Sequence, residues 1–375
     1  MGVYRQSGAP EEVAAFGSWL GRGPAYALDF LPGDTWSAIE DPAWIARSWA
    51  GSGYEVIYSV PMLPATGATL VTGATGAYDA HFVRLAQALV AHGEGDSIIR
   101  LGWELNGSWF PWAAQTDPAA FVTYWRRVVS AMRSVSGASF RFDWNVVLGT
   151  TQFPLERAYP GDAYVDFVTA DLYDQSWYSE DRDNPAGRWQ RMLTQTHGLD
   201  WLESFAGSHG KQIAFPEWGL SLRSDGNGGG DNPYFIERMH EWFNTRNVAY
   251  QLYFEHDMWA GEQHRMMTGI FPNAAARYVQ LFGAAPAAPT DIQAEGERRT
   301  VLLSWDGPSS SGPLKYEIYR STSSTGSFVQ VGTTSQESYR DSEVRRRTTY
   351  YYRLKTVDAD GRRSVPSATV TVRTQ

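Results

Sequence analysis

The chain has 375 residues, a formal net charge of −9 and a sequence pI of about 5.3. This length admits a barrel-sized domain of about 250 residues plus a small one, while the acidic balance lacks the Lys/Arg excess that binds phosphate backbones, so nucleic acid is not an expected partner and a polyanionic substrate is disfavoured. The absence of cysteine excludes disulfides, thiolate metal sites and cysteine nucleophiles, and 16 Trp with 20 Tyr exceed what an aliphatic core needs and suit a carbohydrate-binding surface.

Short apolar or aromatic runs recur between helical stretches, the pattern of repeated βα units around a parallel sheet. Strands are expected at Gly2 to Arg5, Tyr26 to Phe30, Glu55 to Val60, Ser97 to Trp103, Arg141 to Val146, Val165 to Asp171, Gln212 to Pro216 and Tyr250 to Phe254. Helices are expected at Glu11 to Leu20, Ala77 to His92, Pro118 to Val135, Trp189 to Phe205 and Tyr234 to Asn244, several of them opened by Pro, Asp or Asn. Eight such units predict an α/β fold, a (β/α)8 barrel over residues 1–282. Residues 283–289, Gly-Ala-Ala-Pro-Ala-Ala-Pro, form a linker. After it the helical pattern gives way to alternating runs expected to build an all-β sandwich over 290–375.

Two glutamates stand out, each at the end of an expected strand and each among aromatic residues: Glu104 in Arg100-Leu-Gly-Trp-Glu-Leu-Asn-Gly-Ser-Trp-Phe-Pro-Trp112 and Glu217 in Gln212-Ile-Ala-Phe-Pro-Glu-Trp-Gly219. Hydrolysis of a glycosidic bond needs a carboxylic acid to protonate the leaving oxygen and a carboxylate on the other side of the sugar, with aromatic faces against the rings. In a (β/α)8 barrel the loops after the strands carry the active site, and the ends of strands four and seven face each other across its mouth.

Residues 1–280 resemble glycoside hydrolase family 26 through Arg100, Glu104, Asn106, Gly107, Trp109, Phe110 and Trp112, the run Val165 to Tyr173, and Glu217-Trp-Gly219. The resemblance implies a retaining endo-acting β-glycosidase, β-mannanase-like, with Glu104 as acid/base and Glu217 as nucleophile. The residue before the acid/base is usually histidine in the family's mannanases and is Trp103 here, which leaves β-1,3-xylan and mixed-linkage β-glucan open beside mannan. The C-terminal segment resembles a fibronectin type III domain through Trp305, Tyr316-Glu-Ile-Tyr319 and Thr349-Tyr-Tyr-Tyr-Arg-Leu-Lys-Thr-Val-Asp358.

Among the neighbours of the two glutamates, Tyr173 is expected either to donate to Glu217 or to pack in the core, and Arg100 to support the carboxylates from within its strand. Trp103, Trp109, Phe110, Trp112, Trp177, Tyr178, Trp218 and Trp259 are candidate walls and platforms for sugar rings. Asn145, Asp171 and Glu255 either bond sugar hydroxyls or satisfy backbone groups, and Asn106, carried by the resemblance, is a further substrate-binding candidate; His256 and Asp257 are weaker candidates. The Gly-rich run Asp225 to Asn232 lacks the Gly-Lys-Ser/Thr ending of a phosphate loop, and the seven histidines show no metal-binding spacing. No metal or other cofactor is expected.

The expected partner is a polysaccharide or oligosaccharide, with the chain monomeric unless it belongs to a virion or surface assembly. No apolar run is long enough for a membrane span, and Met1 to Gln6 have no signal-peptide character. An extracellular, virion or cell-surface location then requires a trimmed signal or another export route. Two alternatives stand beside the polysaccharide hydrolase: a phage- or cell-surface-associated depolymerase of a bacterial envelope glycan, and an inactive carbohydrate-binding barrel.

Overall fold

The computed structural model describes residues 1–149, 153–257, 261–309, 312–359 and 361–375, and the chain divides into two compact units, Met1–Phe282 and Gly283–Gln375. In the first, eight parallel strands, β1 (Gly2–Tyr4), β2 (Tyr26–Phe30), β3 (Glu55–Val60), β4 (Ile98–Leu101), β5 (Arg141–Val147), β6 (Phe167–Tyr173), β7 (Gln212–Gly219) and β9 (Val248–Phe254), close into a barrel with β1 paired to β9. This is the (β/α)8 architecture expected from the strand pattern. A two-residue strand β8 (Leu222–Arg223) pairs antiparallel with β10 (Glu262–Gln263), joining the loop after β7 to the loop after β9.

Side chains alternate between the two faces of each strand. Tyr4, Leu28, Ile57, Ile98, Phe167, Ala214 and Leu252 therefore fill the barrel interior, while Val3, Val56, Ile99, Phe142, Trp144, Val168 and Phe215 pack outward under the helices. Following the inward positions toward the C-terminal ends, apolar residues give way to Arg100 on β4, Asp143 and Asn145 on β5, and Thr169, Asp171 and Tyr173 on β6, all but Tyr173 fully buried. Polarity thus rises toward the mouth, where a site is expected.

Strand β7 breaks the alternation. Thr169 and Asp171 pair with Ala214 and Glu217 on one side, and Phe215 and Trp218 pair with Gln251 and Tyr253 on the other, so three residues of β7 advance against two of each neighbour. The extra residue lies beside Pro216, which has no N–H to give to a ladder. As a result Glu217 turns into the barrel and Trp218 out of it. Trp218, expected on the sugar side, is fully buried against the rings of Phe243, Tyr253, Tyr278 and Phe282, with its indole N–H donated to Gln251 Oε1 at 2.5 Å.

The helices follow the usual start signals. Asp117 accepts the N–H of Ala120 and Pro118 opens Pro118–Arg133, whose buried residues Phe121, Tyr124, Trp125, Val128, Val129 and Met132 recur on one face. The stretch expected as one helix from Trp189 to Phe205 is two, Pro185–Thr194 and Leu199–Ser208. His197 between them has φ +53°, and a Cβ on Gly198 would lie 2.6 Å from the Met192 carbonyl oxygen, so the chain turns there. The described residues contain no helix long and apolar enough to cross a membrane.

The second unit is all-β. One sheet has the order β11 (Thr290–Gly296), β12 (Val301–Asp306), β15 (Ser338–Asp341); the other β14 (Val329–Thr334), β13 (Lys315–Ser321), β16 (Thr349–Val357), β17 (Val370–Arg373). Alternation on β12, β13 and β16 buries Val301, Leu303, Trp305, Tyr316, Ile318, Tyr350, Tyr352 and Leu354 in a common core. The Tyr350 hydroxyl accepts the N–H of Arg345 at 2.8 Å, a tyrosine fastening the turn that precedes its own strand, as in immunoglobulin-like sandwiches.

The outward facing of Trp218 has a measurable consequence. Trp218→Ala should lower the stability of the barrel by about 3–5 kcal/mol, the cost of emptying a packed aromatic site, seen by calorimetry as a lower barrel transition. Trp177→Ala, at an exposed position, should leave that transition in place.

Candidate active site

Arg100 is the centre of the polar layer. Its side chain has no solvent exposure, and its guanidinium bonds Asp171 and Glu217, with Nη2 also donating to Asn145 Oδ1 at 3.1 Å and Nη1 to Ser59 Oγ at 3.2 Å. Asn145 in turn donates to Asp171 Oδ1 at 3.0 Å and to Thr169 Oγ1 at 3.1 Å, and below them Tyr250 donates to Asp143 at 2.7 Å. The Tyr173 hydroxyl donates to the second oxygen of Glu217 at 2.9 Å. Glu217 is therefore bonded through both oxygens, to a fixed cation on one side and a phenol on the other.

Glu104 reaches the same cleft by a turn of backbone rather than as a strand residue. Strand β4 ends at Leu101 because Gly102 has φ +54°, and Glu104 itself has φ +51°, a left-handed conformation that costs a residue with a side chain about 1–2 kcal/mol. Asn145 Oδ1 accepts the Glu104 N–H at 2.8 Å, and the Glu104 carbonyl accepts the N–H of Gly107 at 2.8 Å. The same Asn145 side chain thus positions Arg100, Asp171 and the acid loop. The Trp109 indole donates to Glu104 Oε2 at 2.6 Å.

Both glutamates open into a cleft of about 1110 Å³, lined among others by Phe30, Trp103, Trp109, Phe110, Tyr173, Trp177, Tyr178, His256 and His264. Trp109 and Trp177 are more than half exposed. One wall is stitched together: Arg188 donates to both oxygens of the buried Asp174, Asn232 Nδ2 donates to the same carboxylate at 2.7 Å, and the Gly229 N–H bonds the Asp174 carbonyl. A Cβ on Gly229 would meet Asp174 Oδ2 at 1.9 Å, so the glycine permits this close approach. The Asn227 carbonyl accepts the N–H of Ser176 at 2.9 Å. The Gly-rich run after β7 is thereby tied to the segment bearing Trp177 and Tyr178.

Several residues expected to touch substrate do other work. Asn106 pairs both ends of its amide with the backbone of Val147. Trp112 is buried behind the cleft, stacked on Phe110 with ring centroids 4.5 Å apart and donating to the Trp103 carbonyl. Glu255 is 1% exposed and accepts the N–H groups of Met266 and Met267, while Asn145 holds its neighbours from beneath. Trp259 lies outside the described residues. Conversely, His264 was not singled out by the sequence. It is 1% exposed and lines the cleft, with Nδ1 bonded to the Leu220 carbonyl at 2.6 Å and Tyr173 packed on its ring, and its Nε2 has no hydrogen-bond partner among the described residues. Phe30, Arg191 and Arg223 are further lining residues. They sit at the end of β2, in a helix and in the two-stranded ribbon, and share no spacing that would mark them.

One guanidinium faces four carboxyl groups, Asp143, Asp171, Glu104 and Glu217, and cannot neutralise them all. Burial, then the negative charge of Glu217, pushes the Glu104 carboxyl up to about 7, against the opposing pull of Arg100 and the Trp109 indole. Burial likewise raises Asp171 well above the usual carboxylate range although Arg100 opposes it, and raises Asp143 to about 6. The cluster retains protons at pH values where exposed carboxyls have lost them.

A (β/α)8 barrel with two carboxyl groups in an aromatic cleft at its mouth defines a class of carbohydrate-active proteins. A family description, glycosyl hydrolase family 26, matches residues 91–196. Endoglucanase H of Acetivibrio thermocellus is 24% identical over 292 residues, 74% of this chain and 29% of that protein, and a mannan endo-1,4-beta-mannosidase of Bifidobacterium adolescentis is 28% identical over 148 residues, 37% and 14% of the two chains. The chain therefore spans less than a third of the length of these curated relatives. Among solved structures, a double mutant of the Cellulomonas fimi endo-beta-1,4-mannanase superposes with a TM-score of 0.52 at 19% identity, covering 95% of this chain and 87% of that one. The family match covers residues 91–196, which carry β4, β5, β6 and Glu104, and the structural likeness shows that the barrel shares the fold of that solved mannanase, while the C-terminal unit is an all-β pair of sheets.

The Trp109–Glu104 hydrogen bond gives a probe of the acid. The fluorescence difference between the native chain and Glu104→Gln should titrate with a midpoint near pH 7. In a Glu217→Gln background the same difference should titrate at lower pH, because the negative charge that raises Glu104 is gone. An unchanged midpoint would place the two carboxyls out of electrostatic reach.

Proposed function

We propose that the chain is a retaining, endo-acting β-glycosidase that cleaves a β-linked polysaccharide, mannan-like or a related glucan or xylan, by double displacement. The observation that carries this reading is the unequal treatment of two carboxyl groups in one cleft. Glu217 is held through both oxygens by Arg100 and Tyr173, an arrangement suited to a nucleophile with a fixed direction of attack. Glu104, pushed up to about 7, keeps a proton for the leaving oxygen near neutral pH and can recover one from water in the second step. In the first step Glu217 attacks the anomeric carbon as Glu104 protonates the departing oxygen. In the second, Glu104 deprotonates a water that displaces Glu217 and releases the sugar.

The cleft supports a polymeric substrate: Trp109 and Trp177 both line it with more than half of each side chain exposed, so that sugar rings can stack on them. The relatives, a mannan endo-mannosidase and an endoglucanase, support a polysaccharide substrate, and a polymer of that size is in keeping with action outside the cell. Trp103, walled by Phe30, Phe110 and Trp112, brings an apolar surface next to the acid and keeps the choice among mannan, glucan and xylan open. Hydrolysis of a panel of these polymers and of envelope glycans identifies the substrate; no turnover on any of them would favour an inactive binding barrel.

Two measurements separate the roles. Glu217→Ala should abolish turnover of every substrate, whereas Glu104→Ala should still form the glycosyl-enzyme from an activated aryl glycoside, and azide should restore its turnover with a β-glycosyl azide as product. Activity retained by both variants on the true polymer would reject the assignment. Proton NMR of the first-formed product should show the anomer of the substrate, as attack by a carboxylate and then by water requires; early appearance of the opposite anomer would exclude Glu217 as nucleophile.

A further inference from the structure

We propose that one pole of the fibronectin type III-like unit is a docking surface for a polyanionic glycan, one bearing repeated carboxylate or phosphate groups. The whole-chain charge of −9 conceals a segregation: residues 290–375 carry 13 Lys and Arg against 10 Asp and Glu, a net +3, leaving −12 on residues 1–289. Five of those basic residues are concentrated on two turns, Arg298 and Arg299 between β11 and β12, and Arg345, Arg346 and Arg347 between β15 and β16.

The fold brings these turns together. Val301, the first residue of β12, pairs with Asp341, the last of β15, so both turns leave the same end of one sheet. The chain after β17 ties them: the Gln375 N–H bonds the Glu297 carbonyl at 3.1 Å, the Thr374 N–H bonds the Thr348 carbonyl at 3.1 Å, and the Thr374 hydroxyl donates to the Arg345 carbonyl at 2.6 Å. All five arginines are exposed, and none forms an ion pair among the described residues. Most other arginines of this unit behave differently: Arg320 pairs with Asp341, Arg362 with Asp358 and Arg363 with Glu317. Glu297 and Glu343 stand on the same two turns and leave them a net +3; this excess of like charge raises the local potential, which an approaching polyanion relieves.

The chemistry of the pole selects among polyanions. Guanidinium forks match carboxylate and phosphate geometry. Neither turn carries an aromatic residue on which a nucleobase would stack, and the one large apolar residue on them, Val344, is buried, so there is no apolar wedge for a lipid surface. A flexible acidic glycan needs neither. This inference concerns the second unit alone and stands or falls independently of the reaction assigned to the barrel.

Affinity electrophoresis of the full chain through gels containing polygalacturonate, soluble polyphosphate or neutral galactomannan tests it. In about 50 mM NaCl the acidic polymers should retard the chain, and about 0.5 M salt should abolish the effect, since exposed charge pairs are screened at that ionic strength. Retardation by polyphosphate without any by polygalacturonate would show a site for phosphate alone and would overturn the glycan assignment. Arg298→Gln with Arg299→Gln, and separately Arg345→Gln, Arg346→Gln and Arg347→Gln together, should each weaken retardation about tenfold, roughly 1.4 kcal/mol. Removing three charges from strand positions, Lys315→Gln, Arg353→Gln and Lys355→Gln, should change it less than about twofold, as screened charges remote from the contact do. Equal losses from the turn and strand variants, no retardation by either acidic polymer, or retention by duplex DNA or anionic vesicles in their place would overturn the proposal.

Discussion

The barrel's polar interior depends on one buried guanidinium. Arg100 has no contact with solvent and meets two carboxylates directly, with Asn145 and Ser59 taking further donors. Such an arrangement is held together by mutual dependence: a charge stripped of water is costly alone, and removing one member of a buried pair typically costs about 3–5 kcal/mol because the other is left uncompensated. With four carboxyl groups around a single cation, the remaining imbalance is taken up as retained protons, on Glu104 and Asp171 among others. Burial first, and then the charge of the neighbouring Glu217 that one cation does not cancel, thus prepare Glu104 to act as an acid.

Around that cation, two departures from regular geometry place the glutamates. An extra residue in β7 rotates Glu217 inward, and left-handed backbone at Gly102 and Glu104 carries the second carboxyl over the barrel mouth. Neither is stable by itself. The bulge is supported by the aromatic cluster that receives Trp218, and the left-handed turn by the Asn145 side chain that accepts the Glu104 N–H. Packing on the outside of the barrel and hydrogen bonding on its inside thus fix the two halves of the site separately.

This division explains what could be read from the sequence. Parallel strands covered on both faces are short apolar runs, so all eight were visible, as were helix starts such as Asp117-Pro118 and the two glutamates with their aromatic neighbours. The seventh strand is expected to stop at Pro216, which makes Trp218 a loop residue and a candidate platform; β7 instead runs on to Gly219, and the residue inserted beside Pro216 turns Trp218 outward. Polar residues at strand ends are equally suited to a sugar hydroxyl or a backbone group, and only coordinates distinguish Asp171, beside the guanidinium, from Glu255, beneath a turn. His264 and Arg191 lie far from either motif in sequence and reach the cleft only through tertiary folding.

The stitched wall bears on how tightly a flexible polymer can be held. Trp177 stands on a segment that would ordinarily be a loose surface loop, yet Asp174, Arg188, Asn232, Gly229 and Asn227 fasten that segment to the loop after β7. Ordering a mobile aromatic side chain and its backbone on binding costs about 0.5–1.5 kcal/mol for each such side chain. The backbone that carries Trp177 has already lost that freedom during folding, so capture of a glycan has only the side chain left to order on the protein side.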